Sequence, residues 1–453
     1  MEEMSRIGAR IDAMPGSSQL WKFVALIAAG GFFEIYDLAL TAPISSGLAA
    51  AGIFRTGHAG FFGLADQATF ILATFGGLYL GVIGFSISGD RLGRKMVFAY
   101  ALIWYAAATA IMGLQNSPGM VCVWRFIAGV GLGAEAVAID CFVVEVVPAR
   151  IRGRAFSLSM FVQYCAIPTS ALLAALLVPA PVLNIPGWRL MTFVPVLGAI
   201  GFWCLRRKLP ESQRWLATQR RFAEADAILD WLGAPHAAQA KPQIQIESCS
   251  LERGKSYIGK YVRRTTITLL IYTNLQVFAY YGFANWLPTF LEAQGVPLKE
   301  SLFYNFGVAL AAPLAALMLG YSSDLFERRN QIIGYGLASV VLALLFGHAS
   351  MPFAWVSFGL GLSFANSVLS VLTHNYFSEV FPTELRARAV GFVYSFTRIM
   401  AALSGYLVAW LLDFGVAVVF VTISVAMFAA VLSLIVAGPR TLGRSFEEIT
   451  GRA

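Results

Sequence analysis

One run limits what this chain can become. Residues 121–153 read VCVWRFIAGVGLGAEAVAIDCFVVEVVPARIRG. About 27 of them precede Pro148, and at about 1.5 Å per residue they make a helix of about 40 Å, long enough to cross a bilayer. Yet Arg125, Glu135, Asp140 and Glu145 all lie in it. Ionisable side chains at bilayer depth are costly, and they mark a pathway, a proton relay or a partner on a neighbouring helix. Gly129, Gly131 and Gly133 leave room for another helix backbone to approach. The run closes in Glu145-x-x-Pro148-x-x-x-Arg152-Gly153, a polar corner suited to the membrane surface.

That corner recurs 234 positions later as Glu379-x-x-Pro382-x-x-x-Arg386-Ala387. A second motif has the same offset: Gly89-Asp90-Arg91-Leu92-Gly93-Arg94-Lys95 is matched by Ser323-Asp324-Leu325-Phe326-Glu327-Arg328-Arg329. Two different signatures with one spacing imply two similar halves in the same orientation.

Composition sets the solvent. The chain is 58% hydrophobic and 13% charged, where a soluble domain is about 25% charged, and its mean hydropathy is +0.69. Hydrophobic runs fall near 20–48, 61–88, 96–114, 119–147, 155–180 and 188–206, then near 265–293, 301–322, 330–348, 352–380, 388–412 and 415–437. These lengths suit membrane-crossing helices, and no alternating barrel pattern is present. The expectation is an all-α membrane protein of twelve transmembrane helices in two pseudo-symmetric six-helix bundles. Residues 1–206 form the first bundle, 207–264 a cytoplasmic linker with amphipathic helices, and 265–453 the second bundle and tail. Within the linker, residues 221–232 carry apolar positions at helical spacing and Gly233 closes them; residues 241–255 read as flexible.

The net charge is +8, but its placement says more. Of the 33 Lys and Arg, only Arg55, Arg189 and Lys299 fall near one set of loops, and Arg125 and Arg398 fall inside spans. The rest gather at the opposite loops and the tails, which orients both termini to the cytoplasm. Topology thus accounts for the basic residues without nucleic acid. The five cysteines form no CxxC pair, so neither a disulfide nor a metal site is expected. The first apolar run carries Glu34 and Asp37 and is not a cleavable signal. No GxxxxGK[ST] loop or HExxH helix occurs, which argues against ATP-driven transport and against metal-dependent hydrolysis.

Taken together, the chain resembles the major facilitator superfamily over nearly its whole length, in its sugar-porter and organic-ion (metabolite:proton symporter) branches. The residues that carry the resemblance are Gly89-Asp90-Arg91-x-Gly93-Arg94-Lys95, Arg125-x-x-x-Gly129-x-Gly131-x-Gly133-x-Glu135, Glu145-x-x-Pro148-x-x-x-Arg152-Gly153, Pro210-Glu211-Ser212-Gln213-Arg214-Trp215-Leu216 and Pro439-Arg440-Thr441-Leu442-Gly443-x-x-Phe446-Glu447-Glu448. Ser86 and Glu327 depart from the glycines usual in the two loop motifs, so the second loop is expected to make a weaker or differently charged latch. The resemblance implies secondary transport by alternating access, powered by a proton gradient without a bound cofactor.

Several residues are candidates for the work. Asp90, Arg91, Arg94, Glu145 and Arg152 in the first half, with Asp324, Arg328, Glu379 and Arg386 in the second, suit ion pairs that hold the cytoplasmic side shut and break when it opens. Glu34 and Asp37 stand three apart on one helix face, and two neighbouring carboxylates do not both ionise easily in a low dielectric. By helix rise, Asp37 and Arg125 lie at similar depths, about 25 and about 30 Å from the cytoplasmic ends. Asp37 is expected to pair with Arg125 when ionised and to release it when protonated. In proton-coupled sugar porters the acid of a similar Tyr-Asp pair faces the arginine of this glycine-rich motif, which implies the same here.

Arg398 has two economical uses inside a span: pairing with an acid such as Glu34 or Glu135, or holding a substrate carboxylate. Aromatic and amide side chains in the seventh span, Asn274, Gln276 and Tyr280 among them, suit a flat, partly apolar solute, as do Gln163 and Tyr164 in the fifth and Tyr394 beside Arg398. Gly282 and Pro288 are expected to let the seventh helix bend. His374 is a possible relay, and Glu135 is expected to hydrogen-bond within the first half. The preferred reading is proton symport of a small organic anion, an aromatic or heterocyclic carboxylate, by a monomer in the cell inner membrane. Sugar or polyol symport, drug export and a transporter-shaped sensor remain as alternatives.

Overall fold

The computed structural model describes residues 2–55, 57, 60, 63–181, 184–206, 210–235, 251–322, 326–381 and 383–439. Its long elements are all α-helices. After α1 (Glu2–Asp12), the first half makes six passes: α2 (Ser18–Ala39) with α3 (Thr41–Ala50), α4 (Asp66–Leu92), α5 (Arg94–Gly113), α6 (Pro118–Val146), α7 (Arg152–Tyr164) with α8 (Ala166–Leu177), and α9 (Gly187–Arg206). The short helices α10 (Gln213–Thr218) and α11 (Phe222–Leu232) follow. Six further passes are α12 (Leu251–Ala284) with α13 (Leu287–Ala293), α14 (Leu298–Ala309) with α15 (Ala311–Ser322), α16 (Arg328–Gly347), α17 (Pro352–Val380), α18 (Thr383–Leu412) and α19 (Val416–Ala437). Among the described residues, ten passes are long and apolar enough to cross a membrane by themselves. The other two are the sixth, whose apolar part spans Gly187–Gly201, and the seventh, whose helix starts with a polar stretch.

Residues 251–264, the end of the segment expected as linker, are helical and run straight into the seventh pass as part of α12. Of the segment read as flexible, residues 241–250 lie outside the described residues.

Four passes are broken, and one cause explains all four. Breaks fall at Leu40, Cys165, Leu310 and the Asn285–Trp286 pair, two or three residues before Pro43, Pro168, Pro313 and Pro288. A proline ring collides with the carbonyl four positions back and donates no hydrogen bond. These are passes one, five, seven and eight. Elsewhere the helices are capped in ordinary ways: the Leu20 amide donates to Ser17 Oγ at 3.2 Å, and Ser117 caps α6 just ahead of Pro118.

Inside the first half, α4 and α6 touch backbone to backbone. A Cβ on Gly81 would come within 2.1 Å of the Val130 carbonyl, and one on Gly133 within 2.2 Å of the Leu78 carbonyl. Gly131 faces the other way, against Trp104 and Tyr105 of α5. Between the halves, α4 packs on α18, while α7 and α8 pack on α15 and α14. Pass two against eleven, and five against eight, are equivalent pairs under the twofold relation of the halves.

The two faces differ. On the face away from the N-terminus the halves are tied together: Gln67 Nε2 donates to the Asn285 carbonyl at 3.1 Å, Thr289 Oγ1 donates to Gln67 Oε1 at 3.0 Å, and the Thr69 and Tyr406 hydroxyls bond at 2.7 Å. On the N-terminal face, α1, α10 and α11 join the core of the first half through Ile7, Ile11, Leu216 and Leu229. Arg6 and Arg10 of α1 grip Asp226 of α11, and Arg10 also holds Asp230.

Candidate functional site

Between the halves lies a cavity of about 260 Å³. All four broken passes contribute to its wall, with α4, α6, α17 and α18. Helix interruption leaves side chains and backbone free to face a solute where an intact helix would present only one stripe.

Arg398 of α18 lines this cavity, and so does Glu34 of α2. Both act on the Tyr281 hydroxyl of α12, with Arg398 beside it. The Tyr281 ring meets Phe75 of the first half at 4.4 Å between centroids and Tyr280 at 4.9 Å. Gln163, Tyr164, Gln276, Tyr280 and Tyr394 also line the cavity. Gln163 Nε2 donates to Ser159 Oγ at 2.9 Å, and its side chain fills the space over Gly31, where a Cβ would come within 2.7 Å. Tyr164 donates to Ser370 Oγ at 3.2 Å across the halves.

Asn274 is off this wall. The lining face of α12 runs through Thr273, Gln276, Val277, Tyr280 and Tyr281, and Asn274 turns back to donate to the Leu270 carbonyl at 2.8 Å. His374 also lines the cavity. Its Nδ1 bonds the Ser370 carbonyl at 2.9 Å, and its ring packs between Tyr394 and Phe156 of the first half.

Behind the wall, Asp37 and Arg125 meet with no exposed surface. Arg125 Nη1 donates to the Asp37 carboxylate, and Nη2 donates to the Asp37 carbonyl at 2.8 Å and to Thr41 Oγ1 at 2.9 Å. Its Nε donates to Thr74 Oγ1 at 2.9 Å. Thr109 donates to the other Asp37 oxygen at 2.6 Å, and the guanidinium lies 5.4 Å from the Phe70 ring centre. A buried ion pair is tolerable only with its remaining donors and acceptors satisfied in this way. Thr41, Thr74 and Thr109 were not singled out from sequence, since a threonine in a span carries no distinguishing signal.

Glu135 is fully buried, and neither carboxyl oxygen has a donor at good geometry among the described residues; the Tyr105 hydroxyl of the same half is its hydrogen-bonding neighbour.

The N-terminal face has a clasp that sequence reading did not assign. Glu211 accepts from the Lys95 amide at the start of α5 and from the Ser212 amide, both at 3.0 Å. It sits against Gly93, whose φ of +90° favours glycine. Ser212 caps α10 and donates to Glu145. Arg328 is half-buried at the start of α16. The side chains of Asp90, Arg91, Arg94, Asp140, Arg152, Glu379 and Arg386, and all of Asp324, lie outside the described residues.

Comparison with known proteins then decides the family. Residues 23–452 match the family described as sugar (and other) transporter. The chain belongs to this family. It is 28% identical, over 96% of each chain, to the putative metabolite transport protein YyaJ of Bacillus subtilis. To the niacin transporter NiaP of Acinetobacter baylyi it is 25% identical, over 97% of this chain and 99% of that one. The E. coli xylose transporter XylE, in a partially occluded inward-open conformation, superposes with a TM-score of 0.73 at 17% identity, covering 95% of this chain and 100% of that one. The fold is therefore that of the major facilitator superfamily. The transporter is an integral membrane protein for small-molecule solutes, and its family is not one of enzymes.

Proposed function

We propose that this transporter couples protons to the movement of a small organic anion, an aromatic or heterocyclic carboxylate, by alternating access. Arg398 is the observation that carries the reading. A guanidinium lining a cavity between two apolar bundles, beside a tyrosine hydroxyl, matches a carboxylate in charge and in fork geometry. The cavity is just below the about 300–1,000 Å³ of typical ligand sites, and the Tyr280 and Tyr281 rings favour a flat solute of modest size. That NiaP is named for niacin, a pyridine carboxylate, is consistent with this.

Coupling falls to the buried pair. With Asp37 ionised, Arg125 is held by α2, α4 and the Asp37 carbonyl. Protonation of Asp37 removes the charge that offsets desolvation of Arg125 and loosens α6 from α2. Glu34, on the cavity side of the same helix, is a second candidate carrier. The latch residues on the N-terminal face, Glu145 with Ser212 and Glu211 with the start of α5, would brace that side of the first half. We take this face as cytoplasmic, with both termini on it, in the inner membrane of a cell, and the monomer as the working unit. No cofactor is required beyond the proton gradient.

The test is a thermal-shift screen of the purified transporter at two pH values, pairing each aromatic acid with its amide. A bound ligand stabilises the folded state by mass action. Acids are expected to raise Tm and their amides not to. Equal shifts from both would replace the anion reading with a neutral solute such as a sugar or polyol.

A further inference from the structure

Glu135 of α6 is left over once the cavity and the Asp37–Arg125 pair are accounted for. Its surroundings are well defined. Its side chain is 0% exposed. Among the described residues, neither carboxyl oxygen has a hydrogen-bond donor at good geometry, and the Tyr105 hydroxyl of α5, also 0% exposed, has no well-formed bond either, with Glu135 as its neighbour. From α2, Glu34 and Asp37 are within electrostatic reach, both of the same sign as an ionised Glu135. α4 packs backbone to backbone on this part of α6, Gly81 against Gly133. The nearest cation on its own helix, Arg125, is ten positions away and committed to Asp37.

Among the described residues, an ionised carboxylate here would have no donor at good geometry and two acidic neighbours. Desolvation of that kind is not sustained. A neutral acid fits: its O–H can donate to the Tyr105 oxygen, or the Tyr105 O–H can donate to its carbonyl, and either bond satisfies a buried group that is otherwise orphaned. Ala136, the next residue, and Ile139, one turn on, reach the cavity wall, as does Glu34.

We propose that Glu135 and Tyr105 form a second proton-binding site in the first half, with Glu34 as its link to the cavity. The proton resides on Glu135 in this conformation. On transfer the Glu135 O–H bond breaks and an O–H bond forms on an ionised Glu34, so charge and atoms balance without any other reactant. The site itself stands on the geometry of α5 and α6. Its part in turnover rests on the coupling reading above.

Infrared difference spectroscopy on the full-length transporter in liposomes tests this, because a protonated carboxyl absorbs apart from carboxylates. At neutral pH the wild type is expected to show a carboxylic-acid C=O band that is absent from Glu135→Gln, persists in Asp37→Asn, and shifts in Tyr105→Phe. Should Glu135→Gln fail to fold, the Tyr105→Phe shift alone carries the test, since only an acid bonded to that hydroxyl would move. A band unaltered by both substitutions, or no band in the wild type, overturns the site. Exchange of the band in D2O is expected to slow in Glu34→Gln; equal rates would remove Glu34 as the link. If Asp37→Asn still accumulates solute under a proton gradient while the Glu135 band behaves as stated, the coupling reading fails and this site stands.

Discussion

Arg125 bonds Asp37 twice, once at the carboxylate and once at the backbone carbonyl of the same residue. The second bond does not depend on the protonation state of the carboxyl. Protonating Asp37 therefore weakens the grip of α6 on α2 without freeing the guanidinium completely, which suits a switch that must reset.

Asp37→Asn is the direct consequence. It keeps the shape and the carbonyl bond but leaves Arg125 without a counter-charge, and breaking a buried pair from one side costs about 3–5 kcal/mol. A lowered Tm is expected in detergent. In proteoliposomes, accumulation driven by an imposed proton gradient should vanish while solute exchange continues. Normal accumulation by the variant would exclude Asp37 as carrier.

How far the sequence could be read follows physical lines. The twelve passes were legible because lipid demands long apolar helices, and the repeated offset fixed the two halves. The i, i+3 spacing of Glu34 and Asp37 located the acids, although Glu34 faces the cavity while Asp37 is buried behind it. Asn274 shows the limit: one residue of rotation, about 100° on a helix, separates a lining position from one that bonds its own backbone. The α1–α11 clamp had a signal that went unread, since Arg6 and Arg10 repeat at the spacing of Asp226 and Asp230. The threonines around Arg125 had none, because only the packing of α4 and α5 brings Thr74 and Thr109 to it.

Arg398→Ala should separate acids from their amides. A hydrogen bond to a charged group is worth about 1.5–3 kcal/mol, so affinity for the acid should fall by about one to two orders of magnitude. The amide should lose much less. Competition binding with matched pairs decides it, and equal losses would reassign Arg398 to a structural pair with an acid.

The clamp on the N-terminal face should open in acid. Burial alone pushes the Asp226 carboxyl up, but the hydrogen bonds from Arg6 and Arg10 outweigh it and hold the group below the usual carboxylate range. A folded-state value below the unfolded one means that the contribution is present above about pH 4, where the unfolded carboxyl ionises, and is lost as pH falls through the lower folded value. Arg10 is 1% exposed, so losing one of its two acidic partners is not compensated by water. Protection of the α1 amides, relative to an unfolded peptide at the same pH, should therefore fall below about pH 4, and Asp226→Asn should show the same fast exchange at neutral pH. Slow exchange in that variant would mean that Ile7 and Ile11 hold α1 without the ion pairs.

Gly133→Ala and Gly84→Ala make a controlled pair. The first would drive a Cβ to within 2.2 Å of the Leu78 carbonyl, whereas the second meets nothing within 4 Å among the described residues. Overpacking costs about 1–3 kcal/mol, and here the obstacle is backbone, which cannot rotate away. Gly133→Ala should lower Tm and yield, with Gly84→Ala close to wild type. Equal behaviour would show that α4 and α6 can separate freely.

The seal away from the N-terminus should be adjustable. Gln67 accepts from Thr289 and donates to the Asn285 carbonyl, and Thr69 bonds Tyr406. Replacing Gln67 with Ala and Thr69 with Val removes all three bonds. At about 0.5–1.5 kcal/mol each, their loss is enough to shift a two-state balance by one order of magnitude or more toward the conformation open on that face. A cysteine placed at the cavity position Ala309, in a background without native cysteines, reports the change. Its reaction with a membrane-impermeant maleimide from that face should accelerate at least tenfold in the double variant. An unchanged rate would mean that the packing of α4 on α18 closes this face without help from the hydrogen bonds.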